Sequence, residues 1–198
     1  MWLSAVPMEH PVFEEARWYD ARWQHRQVMQ LFGDFGGGSQ ARQQAGALFR
    51  VEPAAGSGRV LLQTTMRPEA DGLAVKDASP LLSALKPGVE LRFAARVNPV
   101  KTVNRDRPDG RVKQSRAALP DGDVPGWLGS RLDGFELVTV GVRDRRTDRL
   151  GAGPGELVTV ETSGLLRVVD GVRAATTLTE GVGRAKAYGC GLVAVAPG

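Results

Sequence analysis

Cysteine, histidine and long apolar runs are what this 198-residue chain has least of. A single cysteine, Cys190, excludes an internal disulfide and leaves no thiol cluster for zinc. It reads as a small packed residue rather than a nucleophile. The two histidines, His10 and His25, have no neighbouring His, Asp or Glu at metal-ligand spacing, so neither a metal nor a cofactor is expected. No Gly-x-Ser-x-Gly elbow occurs. No stretch approaches the eighteen or so apolar residues that a membrane span requires, and no membrane partner is expected. The start lacks the basic segment and apolar core of a signal peptide, so the expected compartment is the cytoplasm.

What is present is segregated charge. The net charge is only +4, but eight cations stand between Arg92 and Arg116 against two acids, and a second cluster comprises Arg143, Arg145, Arg146 and Arg149. Arginine-dominated segments fit a phosphate-bearing partner; the plainer reading is a solvated surface. The tail adds a third basic segment. From Glu180 it reads Gly181, Val182, Gly183, Arg184, Ala185, Lys186, then Gly189 and Gly191, ahead of an apolar run. Glycine permits positive φ and removes the Cβ that holds a ligand away, so successive N–H groups can converge on an anion. This is neither a Walker loop nor a dinucleotide fingerprint, because no Gly-Lys-Ser/Thr occurs and Lys186 stands three residues after Gly183. The plainer reading is a turn before a buried strand.

The periodicity predicts two successive strand–helix–strand–strand–helix–strand units. The first has a strand at 1–6, a helix at 21–32 capped by Asp20, strands at 47–51 and 59–64, a helix at 77–85 and a strand at 89–97. The second has a strand at 111–119, a helix at 126–132, strands at 135–143 and 157–169, a helix at 172–180 and a strand at 192–196. That order is the ferredoxin-like split βαβ unit. The expected architecture is α+β, with domains at 1–98 and 104–198 joined by a linker at 99–103. Arg143, Arg145 and Arg146 fall near the tip of a hairpin that contains Gly151, Gly153, Pro154 and Gly155. A cationic tip suits the backbone of a base-paired RNA, which is read largely through shape; it also suits a mobile surface loop.

If the chain is an enzyme, proton transfer by histidine is the simplest option, since an unperturbed pKa of about 6.5 lets imidazole take and give protons near neutrality. On a helical wheel His25 shares a face with Val28, Met29 and Phe32, so packing is its default role. Both readings hold together only where that face borders a cleft between the units.

These residues resemble the CasE family, the CRISPR repeat-processing endoribonucleases of the type I-E Cascade complex. The resemblance runs nearly full length. It rests on the Met-Trp-Leu-Ser start, His25-Arg26, Phe49-Arg50-Val51-Glu52, Leu85-Lys86-Pro87-Gly88, Leu91-Arg92-Phe93, Asn98-Pro99-Val100-Lys101 and the Gly181 to Gly191 tail. It implies two tandem ferredoxin-like (RRM-like) domains and cleavage of CRISPR precursor RNA at the 3′ base of the repeat stem-loop. It also implies attack by the 2′-hydroxyl without a metal, retention of the mature guide RNA, and assembly with other Cascade subunits. His25 falls on the family's catalytic histidine. Arg26, Lys101, Arg143, Arg145, Arg146, Gly181, Gly183, Arg184 and Lys186 fall on RNA-binding segments. Where the family commonly has a tyrosine three residues before the histidine, this chain has Arg22, followed by Trp23. Arg22 can stabilise charge developing on phosphate; Trp23 can stack on a base or pack. Two other readings stay open: a catalytically silent RNA-hairpin-binding subunit, and an α+β protein that binds nucleotides or phosphometabolites through the glycine loop.

Overall fold

The computed structural model describes residues 1–11, 13, 20–32, 41–52, 58–70, 72–106, 112–149 and 156–198. The first sheet contains β1 (Trp2–Pro7), β2 (Leu48–Glu52), β3 (Arg59–Thr64) and β4 (Val75–Asp77), in the order β2-β3-β1-β4 and antiparallel throughout. Helix α1 (Ala21–Gln30) crosses it. The Asp20 carboxylate accepts from the backbone N–H groups of Arg22 (2.8 Å) and Trp23 (3.2 Å), which would otherwise be orphaned at the helix start. The helix buries Trp23 and Val28 against Val6, Phe49, Val60 and Leu62. Full burial of side chains this size contributes about 1.5–3 kcal/mol each. Trp23 is 3% exposed, so of its two expected roles it packs. A short helix α2 (Ala41–Gln44) leads into β2.

The second sheet contains β5 (Glu90–Val97), β8 (Phe135–Arg149), β9 (Glu156–Val168) and β10 (Val193–Pro197), in the order β10-β5-β9-β8. Helices α4 (Val124–Gly129) and α5 (Gly171–Glu180) pack their buried residues into one core with Leu91, Phe93, Val160 and Leu166. Counting strands within each sheet, both orders are 4-1-3-2, the ferredoxin-like arrangement, so the α+β tandem architecture holds.

Four assignments change. The strand at 89–97, expected to finish the first unit, hydrogen-bonds along its length to β9 (Glu90↔Arg167 through Val97↔Val160) and to β10. It is therefore the first strand of the second sheet, and β4 closes the first. Alternating Leu91, Phe93, Ala95 and Val97 mark a half-buried strand without saying which sheet buries it. The expected helix at 77–85 shrinks to α3 (Ser79–Ser83), a connector between the sheets. Residues 99–103, expected as a linker, fall largely within β6 (Val100–Asp106), which pairs with β7 (Val112–Ala118) in a separate two-stranded ribbon. The 111–119 strand is thus half of an insertion between β5 and α4. Gly151, Gly153, Pro154 and Gly155 lie outside the described residues, as do Arg107 and Arg111.

Candidate active site and nucleic-acid interface

The glycine-rich segment is a closed loop seated where the two sheets meet. It leaves α5 at Gly181 (φ 70°), whose N–H donates to Thr177 O at 2.9 Å. The Val182 N–H donates to Gly191 O (2.8 Å), and the Gly191 N–H donates to Arg96 O on β5 (2.8 Å). Between these anchors Ala185 takes left-handed geometry (φ 59°) and Lys186–Tyr188 form one 3₁₀ turn. That turn packs on both α1 and β2. A Cβ on Gly189 would stand 3.2 Å from Phe49 of β2 and 3.8 Å from Gln24 of α1.

The turn brings Lys186 to the same region as His25. The His25 ring is half-buried, and its Nδ1 is sealed from solvent with no hydrogen-bond partner among the described residues. Burial, and then the charge of Arg42, hold its pKa below the ordinary 6.5, so the imidazole is neutral at pH 7. Lys186 donates from Nζ to Glu180 O at 2.7 Å. Burial and the same Arg42 charge depress its pKa, against an opposing pull from Glu180. Arg42, on α2, is fixed by a hydrogen bond from Nη1 to Ala47 O (2.9 Å) just before β2. Burial lowers its own pKa. Sequence reading missed Arg42: a lone cation between glutamines carries no pattern, and only the fold brings it near His25.

Beside the loop lies a basic cleft. Lys101 and Arg116 from the β6–β7 ribbon, Arg131 after α4, and Arg184 with Gly183 from the loop line it, with no acid among the described residues that do so. Arg184 also lines the adjoining groove with Asn98, Gln114 and Tyr188. Gly183 is required here. Its φ is +69°, and a Cβ would meet Trp127 Cη2 at 2.8 Å. The guanidinium of Arg131 covers the Trp127 ring at 4.3 Å from its centroid. The structure thus brings Lys101, Gly183 and Arg184 together, and joins them through the loop to Gly181, Lys186 and His25.

Other expected residues stand apart. Arg22 and Arg26 are exposed on α1, on either side of His25 in sequence. Arg143 donates to Ser163 Oγ at 3.2 Å along the β8–β9 hairpin. Arg145 pairs with Asp121 and donates to Leu119 O at 2.7 Å, so part of its charge is already neutralised. Arg146 is exposed opposite Thr159. None of these three lines the cleft with Lys101 and Arg184. Among the described residues no three His, Cys, Asp or Glu side chains gather as a metal site. No described helix is long and apolar enough to cross a membrane. Cys190 is buried and its pKa is pushed up to about 12 by that burial, as befits a packed residue.

Fold and site together define a tandem ferredoxin-like protein whose glycine-rich loop both lines a cationic cleft and packs on the helix that bears His25. The family model described as CRISPR associated protein matches residues 1–197. The CRISPR-associated endoribonuclease Cse3 of Thermus thermophilus is 35% identical over 167 residues, 76% of this chain and 79% of that one. The CRISPR system Cascade subunit CasE of Escherichia coli K12 is 32% identical over 147 residues, 70% of this chain and 74% of its own. The solved structure of Cse3 bound to a 19-nucleotide RNA aligns over 99% of each chain with a TM-score of 0.74 and 30% identity. The chain belongs to the CasE family of CRISPR-associated proteins.

Proposed function

We propose that this chain is an endoribonuclease that cleaves CRISPR precursor RNA at the 3′ base of the repeat stem-loop, without a metal, and keeps the mature guide RNA within a Cascade assembly. Its relatives are named as an endoribonuclease and as a Cascade subunit, and one is solved with RNA bound. The observation that carries the reading is that the Lys186 turn of the other unit packs on α1, which bears the His25 imidazole with its lowered pKa, while the same loop lines a cleft with four cations.

In this mechanism His25 accepts the proton of the 2′-hydroxyl. The 2′-oxygen attacks phosphorus, the bond from phosphorus to the 5′-oxygen breaks, and the imidazolium returns its proton to that oxygen. The products are a 2′,3′-cyclic phosphate and a 5′-hydroxyl. Lys186 offsets the negative charge that builds on the phosphate. Arg42 is the cation whose charge acts on His25, and Arg22, exposed on α1 in place of the family tyrosine, adds to the charge that offsets the phosphate. Lys101, Arg184 and the N–H group at Gly183 hold the RNA backbone while Gly181 turns the chain into the loop, with Arg26, Arg143, Arg145 and Arg146 as outlying contacts that lend salt-sensitive affinity. The replacement of the tyrosine favours one other reading, a silent hairpin-binding subunit. His25→Ala, assayed on a repeat hairpin in chelator with end-group analysis, decides between them. Wild type cuts and the variant loses about 10²–10⁴-fold in rate while still binding. Undiminished cleavage by the variant removes His25 from the chemistry, and tight binding by a wild type that never cuts selects the silent subunit.

A further inference from the structure

His25 belongs to the first sheet's unit and Lys186 to the second's, so their spacing is set by contacts across the junction. Gln63 of β3 pins the upstream end of the loop, donating from Nε2 to Leu178 O (2.6 Å) and Thr179 O (3.2 Å) at the end of α5. The downstream end is held by a chain of charges. Arg50 on β2 places Nη2 3.1 Å from Glu161 Oε2 on β9, and among the described residues this is the ion pair that spans the two sheets. The other carboxylate oxygen of Glu161 lies 3.9 Å from Arg96 Nε on β5. Arg96 donates from Nη2 to Asp148 (3.1 Å) and Thr159 (3.0 Å), and its backbone carbonyl accepts the Gly191 N–H. Arg50 and Arg96 are only 14% and 12% exposed.

The placement argues for more than cohesion. An apolar pair of similar volume would hold the junction at least as well, since charges taken out of water lose hydration that their attraction only partly repays. The pair is also incompletely satisfied: Arg50 Nε and Nη1 and Glu161 Oε2 are buried without a hydrogen-bond partner among the described residues, although Glu52 Oε1 on the same strand stands 3.8 Å from Arg50 Nε. What an ion pair adds is a single register, because the two charges meet in one relative placement of the sheets. In-line attack is sensitive to such placement, and a misalignment of about 1 Å can cost about 10²-fold in rate. We infer that Arg50, acting through Glu161, is a positioning residue that sets the glycine-rich loop against α1 for cleavage. The inference rests on the assignment of His25 and Lys186 to the reaction.

The test uses the full chain on a repeat hairpin under single-turnover conditions, with hairpin affinity measured in parallel. Arg50→Met and Glu161→Gln are each expected to slow cleavage about tenfold while shifting the Kd less than about twofold. The double variant should be no slower than the slower single one, because both remove the same link. Arg50→Lys, which keeps the charge, should recover most of the rate. Unchanged rates in the single variants, losses that multiply in the double, or a loss confined to affinity would each overturn the role. If Arg50→Met does not fold, Glu161→Gln and Arg50→Lys decide: slow cleavage by the first with near-normal cleavage by the second supports positioning, and a normal rate for Glu161→Gln defeats it. His25→Ala run alongside separates the two claims. Cleavage surviving that change sinks the site assignment, whereas a normal rate for Arg50→Met sinks only the positioning role.

Discussion

At His25 the chemistry depends on a balance between burial and charge. The ring feels the charge of Arg42, its helix packs against the Lys186 turn and also carries Arg22 and Arg26, and no carboxylate is among the causes of its pKa shift. Burial first, and then the Arg42 charge, disfavour the imidazolium. A base kept neutral is ready to accept a proton at neutral pH and even somewhat below it. Arg42→Met removes one of the two causes, so the His25 pKa should rise toward 6.5, and the acidic limb of the rate profile should move to higher pH with it. Folding is linked to the same proton. Because the folded-state pKa is depressed, the unfolded chain takes up the proton first, and stability falls as pH drops below about 6.5 toward the folded value. A titration of the His25 ring resonance in wild type and Arg42→Met measures the shift directly. An unmoved resonance would mean that burial alone holds the ring neutral.

The β6–β7 ribbon is the element that most extends the basic surface, and it belongs to neither four-stranded sheet. Its register places Arg116 opposite Thr102 and Lys101 opposite Ala117. If each cation neutralises one phosphate of a duplex stem, then Lys101→Ala and Arg116→Ala should each flatten the slope of log Kobs against log salt by about 0.9. A slope that stays the same in both variants would take the ribbon out of the RNA contact. Elements of this chain differ in how plainly the residues announce them. Helix α1 was legible because Asp20 caps it and its apolar residues recur at helical spacing; α5 was expected at 172–180, and its Asp170 cap came to light only in the structure. The glycine loop was legible because its positive-φ positions carry glycine, Ala185 excepted. β5 was found as a strand but placed in the wrong sheet, since alternation reports a buried face and is silent about the neighbour. Arg42 and the Arg50–Glu161 pair were not legible at all. Their meaning lies in contacts between segments far apart in sequence, and no local pattern encodes those. Arg145 shows the converse: it stood in a basic run whose pattern gave no sign of its pairing with Asp121, 24 residues away.

Across the whole molecule, two sheets of identical strand order could have melted independently, each around its own core. What joins them includes the loop packed on α1 and β2, the Arg50–Glu161 pair and the Gln63 amide. The Gln63 amide is 3% exposed and donates to two carbonyls in the last turn of α5, groups that have no partner within the helix. Removing it leaves those acceptors buried and unpaired, at a cost of about 1–3 kcal/mol. A loss of about 2 kcal/mol should lower the Tm of a chain this size by about 4–8 °C. The shape of the transition is the more telling readout. If the junction is integral to the fold, wild type melts as one cooperative event with equal calorimetric and van't Hoff enthalpies, and Gln63→Ala lowers that single transition. If instead the units are merely tethered, the variant resolves into two transitions. The loop carrying Lys186 would then meet α1 only transiently, which is incompatible with the preorganisation that in-line attack demands.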